Sequence, residues 1–80
     1  MRQKIVTLNL LPIDKCAKIV NINCDKVLQR RLFDLGLISG TTVKALFKSP
    51  GSDPTAYLIR GAVIALRSDD TKKIDILLEN

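Results

Sequence analysis

Eighty residues, 46% of them apolar and 26% charged, have the make-up of a small globular domain and are too apolar for a disordered chain. Thirteen basic against eight acidic residues leave a net charge of +5. The length argues against a multi-step enzyme with its own cofactor domain, a solenoid or a coiled coil, and the longest apolar run, residues 61–66, is far shorter than the ~20 residues of a membrane helix.

The opening residues 1–11 mix Arg2, Gln3, Lys4, Thr7 and Asn9 into apolar neighbours. They lack the long apolar centre and small-residue cleavage site of a signal peptide, which points to a cytoplasmic chain. Residues 7–11 read as an apolar lead-in that packs onto the body. Pro12 fixes its own φ and holds Leu11 extended ahead of a turn at residues 13–15. Residues 17–22 alternate as a strand, with Ala17, Ile19 and Asn21 on one face and Lys18, Val20 and Ile22 on the other.

Asn23, Cys24 and Asp25 break that strand, and Asp25 opens a helix with its carboxylate near the positive end. Leu28, Leu32 and Leu35 recur at i, i+4 and i+7, one apolar stripe at the helical period. Gly36 then supplies the left-handed closing residue, so that Leu37 folds back onto the helix end. Gly40 marks a second bend.

From residue 42 the pattern becomes that of strands: residues 42–48, 56–60 and 62–67, with a last strand at 74–78. Ser49-Pro50-Gly51-Ser52-Asp53-Pro54 reads as a mobile hairpin loop, and Gly61 as a tight turn. Ser68-Asp69-Asp70 begins a turn or helical piece through Lys73, with the Ser68 hydroxyl as its cap. The expected fold is therefore mainly β with one inserted helix, its roughly five short strands curling into a small closed or nearly closed barrel.

Alternation in that barrel turns Val43, Ala45, Tyr57, Ile59, Ile64 and Leu66 inward and leaves Leu58 and Val63 outward. Phe47 shares the inward parity but sits at a strand end, where alternation often fails. Leu58 and Val63 are then either a contact site or are covered by residues 5–11. On the helix, Arg30 and Arg31 flank Leu32 and Leu35 as charged recognition around an apolar anchor, unless the stripe only closes the barrel end. Arg60 and Arg67 either pair with Asp34 or Asp69 or meet an acidic partner.

The chain has no histidine, no C-x-x-C and no phosphate-cradling loop, so neither an enzyme nor a cofactor is expected. Cys16 and Cys24 read as free thiols. A transition-metal site from Cys16, Cys24, Asp14 and Asp25 is one alternative. Nucleic-acid binding is another, prompted by charges of +4 over residues 1–35 (seven basic, three acidic), +3 over 36–67 (four, one) and −2 over 68–80 (two, four). Against it, Phe33, Phe47 and Tyr57 form no run with the basic residues.

Arg30-Arg31-Leu32-Phe33-Asp34-Leu35-Gly36-Leu37-Ile38-Ser39-Gly40-Thr41 resembles the helix-and-bend signature of the ferrous iron transport protein A (FeoA) family. Leu11-Pro12, Ala17-Lys18-Ile19-Val20, the Ser49–Pro54 loop, Arg60-Gly61 and Ile64-Ala65-Leu66-Arg67 are similar to its other motifs, in the same order. The resemblance implies that residues 1–80 form one SH3-like barrel of about five to six strands. It further implies a cytosolic accessory whose partner is FeoB, a permease with a GTP-binding domain on its cytoplasmic side. The same module at the end of iron-dependent repressors makes a metal-responsive regulator the alternative. Family members often carry charged or polar residues where Phe47, Leu58 and Val63 stand here, and glycine or a polar residue at Cys24. The expected partner-binding residues are Arg30, Arg31, Leu32, Leu35, Leu58, Arg60, Val63 and Arg67. No nucleic acid and no membrane insertion are expected, and an exposed strand edge leaves self-association open.

Overall fold

A computed structural model describes residues 3–79; Met1 and Arg2 of the opening segment, and Asn80, lie outside the described residues. The strands are β1 (Gln3–Thr7), β2 (Cys16–Ile22), β3 (Thr42–Lys48), β4 (Thr55–Ile59), β5 (Ala62–Leu66) and β6 (Ile74–Glu79). Helix α1 (Lys26–Asp34) joins β2 to β3, and a four-residue helix α2 (Ser68–Thr71) joins β5 to β6. All strands belong to one antiparallel sheet in the order β1-β6-β2-β3-β4-β5.

The sheet curls around a core that includes Leu8, Ile19, Leu32, Leu37, Val43, Ile59, Ile74 and Ile76. Burying each Leu, Ile or Val contributes roughly 1.5–3 kcal/mol. The expected closure is not complete, because β1 and β5 remain the two edges of the ladder. The lead-in packs as anticipated, with Leu8 and Leu11 buried around a short 3-10 turn at Leu8–Leu10. The residues before it form an additional strand, β1, paired along its whole length with β6.

Two β-bulges change the sides that simple alternation assigns. Between Ile19 and Asn21 the β2–β6 register slips by one residue. Ile22 then stands opposite buried Ile74, and Asn21, expected on the face of Ala17 and Ile19, is exposed beside Asp75. A second slip between Ala45 and Phe47 puts Phe47 opposite Ala56, on the outer face.

The helix begins where Asp25 accepts a hydrogen bond from the Leu28 N–H at 2.8 Å. It ends in a Schellman closure: Leu37 N–H donates to the Leu32 carbonyl at 2.9 Å and Gly36 N–H to the Phe33 carbonyl at 2.9 Å, with Gly36 at φ +93°. Leu37 is consequently buried against the core. The cap of α2 differs from expectation. Its N-cap residue is Arg67, which makes no side-chain cap bond. Instead the Asp53 carboxylate, from the β3–β4 loop, accepts the Ser68 N–H at 2.9 Å and the Ser68 hydroxyl at 3.4 Å. That contact and the Ser49 N–H to Pro54 carbonyl bond (3.0 Å) tie down the breaker-rich loop.

Candidate functional site

The turn of the β4–β5 hairpin sets the direction of every side chain on it. Ile59 pairs with Ala62 across Arg60 and Gly61, both at positive φ (51° and 82°). This is the two-residue turn whose twist matches that of the flanking strands. From that closing pair, alternation sends Tyr57, Ile59 and Leu66 into the core and Leu58 and Val63 out. Leu58 and Val63 stand directly opposite one another, 37% and 62% exposed. Their exposure shows that the opening segment leaves them uncovered.

The outer face continues across the sheet in register. Cys16 on β2 faces Lys44 on β3, which faces Leu58 and then Val63. The neighbouring row is Phe47, Ala56 and Ala65. Ala56 is only 5% exposed yet stands outside the inner core cluster, as expected of a small residue sheltered by the side chains around it on the outer face. The face is thus apolar toward β4 and β5 and basic toward β2 and β3, where Lys18 joins Lys44. Arg60 and Arg67 sit just beyond the two ends of β5 and are both exposed.

Arg60 also reaches the helix. A Cβ placed on Gly36 would come within 2.7 Å of its Cδ, so the arginine stem lies across the closing residue of α1. It borders an open groove of about 500 Å³ with residues 38–42. Neither Arg60 nor Arg67 pairs with Asp34 or Asp69; among the described residues the one ion pair is Lys72–Asp69, at 3.6 Å.

The helix residues divide differently from expectation. Leu32 is 2% exposed and belongs to the core, so it has no surface to offer a partner; its place at the centre of the stripe is what buries it. Leu28 is half-buried, and Leu35, at the helix end, is exposed. Arg30 and Arg31 point to solvent with Val27 and Phe33, 76% and 64% exposed. Val27 and Phe33 escaped the sequence reading, although helical spacing already places them off the Leu28–Leu32–Leu35 stripe. The structure therefore sorts the expected residues into a sheet face (Leu58, Val63, Arg60, Arg67) and a helix face (Arg30, Arg31, Leu35), which approach one another where Arg60 crosses Gly36.

Cys16 opens β2 and Cys24 lies two residues past its end at Ile22, so the whole seven-residue strand, at ~3.3 Å per residue, stands between them. That is too far for a disulfide or a shared metal ion. Among the described residues no three Cys, Asp or Glu side chains gather as a metal site. Burial and the neighbouring Asp25 raise the pKa of the Cys24 thiol, keeping it protonated at neutral pH. Tyr57 is buried, Phe33 lies on α1 and Phe47 on β3, so the aromatics form no stacking platform. No described helix is long and apolar enough to cross a membrane.

Comparison with known proteins agrees with this geometry. The family model for the FeoA domain matches residues 6–77. The Fe(2+) transport protein A of Campylobacter jejuni is 33% identical over 73 residues, 91% of this chain and 99% of that protein. Among solved structures, a FeoA-like protein from Clostridium acetobutylicum is 30% identical with a TM-score of 0.82, covering 100% of this chain and 94% of that one. Stenotrophomonas maltophilia FeoA, solved with zinc and described as a prokaryotic SH3 domain protein, is 27% identical with a TM-score of 0.79, covering 89% and 88%. The curled sheet with its inserted helix is accordingly SH3-like.

Proposed function

Because the chain belongs to the FeoA domain family, we propose that it serves ferrous iron uptake as an accessory that docks onto the cytoplasmic part of a FeoB-type permease and modulates it. The observation that carries this reading is the uncovered Leu58–Val63 pair set between Arg60 and Arg67. An apolar centre with arginines at its margin suits a protein partner, because apolar burial supplies affinity while the charges select an acidic counterpart. The +5 net charge speeds encounter with such a partner. Residues 1–80 act as one module in this reading, and the protein performs no bond-making step.

The test is a calorimetric titration of the purified chain with the permease's cytoplasmic domain, with and without guanine nucleotide. Saturable binding that weakens as salt rises is expected. Absence of binding in both nucleotide conditions overturns the reading.

A further inference from the structure

We propose that β5 accepts an extended segment of the partner as a seventh, antiparallel strand, and that the segment carries apolar side chains at alternate positions and carboxylates at its two ends. This rests on the docking reading above and specifies how docking occurs.

Among the described residues, β5 has a neighbouring strand on one side only. In a two-residue hairpin the closing pair, Ile59 and Ala62, exchanges both backbone hydrogen bonds, and every second pair after it does the same. The backbone N–H and C=O groups of Ala62, Ile64 and Leu66 therefore point to β4, and those of Val63 and Ala65 point away from it. Among the described residues no turn, loop or side-chain hydrogen bond reaches residues 62–66 from elsewhere.

Protein edges of this kind are ordinarily guarded by lysine, proline, a bulge or a covering loop. The other edge of the sheet, β1, carries Lys4. β5 reads Ala-Val-Ile-Ala-Leu and pairs with β4 without a bulge. An added strand would gain main-chain hydrogen bonds at Val63 and Ala65, and its outward side chains would continue the Phe47, Leu58 and Val63 face.

Charge decides the occupant. A second copy of the chain, paired antiparallel about Ile64 for full overlap, would place Val63 against Ala65 of its partner and Arg67 against Gly61, hence beside Arg60. Like charges would then meet at both ends of the pair, on two molecules that each carry +5. The same two arginines that disfavour self-pairing are positioned for a strand ending in aspartate or glutamate.

The experiment is nuclear magnetic resonance of the isotope-labelled full chain, titrated with the permease's cytoplasmic domain. Amide exchange at Val63 and Ala65 is expected to be fast in the free protein and at least tenfold slower in the complex. Two variants accompany it. Val63→Lys sets a charge on the exposed face; Ala65→Pro removes an N–H that β4 does not use, and each variant's own spectrum reports whether it folds. Both are expected to weaken binding at least tenfold, and Arg67→Glu severalfold. If the wild type binds but protection falls on α1 or elsewhere, or if the folded variants bind like wild type, strand addition is wrong while docking stands. If the wild type does not bind, both fall.

Discussion

Replacing Gly36 with alanine separates two opposite expectations by sign. Within a helix, glycine to alanine stabilises by roughly 0.5–1 kcal/mol. Gly36 instead closes α1 at φ +93°, where a side chain meets its own backbone at a cost of about 1–2 kcal/mol. The new Cβ would also stand 2.7 Å from the Arg60 Cδ, closer than carbon atoms pack, so the arginine must move aside. Its stem is flexible, so this steric share is the smaller one. A loss of about 1–2 kcal/mol lowers the Tm of a domain this size by roughly 5–15 °C. Urea denaturation reads the change as a lower midpoint at constant slope. In an Arg60→Ala background the steric share disappears and the backbone share remains, so Gly36→Ala should cost less there, by up to about 1 kcal/mol. A raised midpoint for Gly36→Ala in the wild-type background refutes the left-handed closure. Equal costs in the two backgrounds refute the contact with Arg60.

Further outcomes follow from the same contacts. Leu32→Ala should cost about 2–5 kcal/mol as a core truncation, whereas Phe33→Ala, one residue along but exposed, should stay within about 0.5 kcal/mol by urea denaturation; comparable losses would contradict the division of the helix faces. Asp53→Ala should lower stability by about 0.5–2 kcal/mol, as for loss of a helix cap, while Ser68→Ala, which keeps the capped N–H, should cost clearly less; the reverse order would make Ser68 the cap. Tyr57, the single tyrosine, has its pKa raised by burial, with the neighbouring Thr71 and Thr55 acting in the opposite sense. The folded state then holds this proton more tightly than the unfolded state, so its contribution is fully present below the ordinary value of about 10 and is lost as pH rises through the folded value. Cys24 shifts in the same sense. Tyrosinate absorbance should appear only above the ordinary range and together with unfolding; a titration at the ordinary value in the folded state would contradict the burial of Tyr57.

How much was legible before the structure depended on how far apart in the chain the interacting groups lie. The helix, its Gly36 closure and the outward pair Leu58–Val63 follow from local spacing. One inserted residue at a bulge reverses parity: it sets Asn21 on the exposed side against its alternation, and it is the reason that alternation fails at Phe47, where the strand end already made that failure an expectation. β1 escaped notice because Gln3, Lys4 and Thr7 interrupt its apolar pattern, and its stability comes from β6 at the other end of the sequence. The Asp53 cap joins residues 15 apart, and the crossing of Arg60 over Gly36 joins two separate turns. Neither pairing has a local signature. In the candidate site, the exposed pair was visible from alternation; the place of Leu32 in the core and the outward set of Val27 and Phe33 required the helix to be seen against the sheet.

The position of β6 between β1 and β2 has a bearing on how the chain is made. Of the described strands, β1 emerges from the ribosome first and β6, with which it pairs, last: Gln3 is matched with Glu79. At ~5–20 residues per second, translation leaves β1 waiting for several seconds. The inner strand that knits the sheet together arrives after everything it must join. Completion of the fold is thus a late event, and a nascent chain stalled before residue 74 would display the sides of β1 and β2 that β6 normally occupies, an opening for chaperones and for aggregation alike.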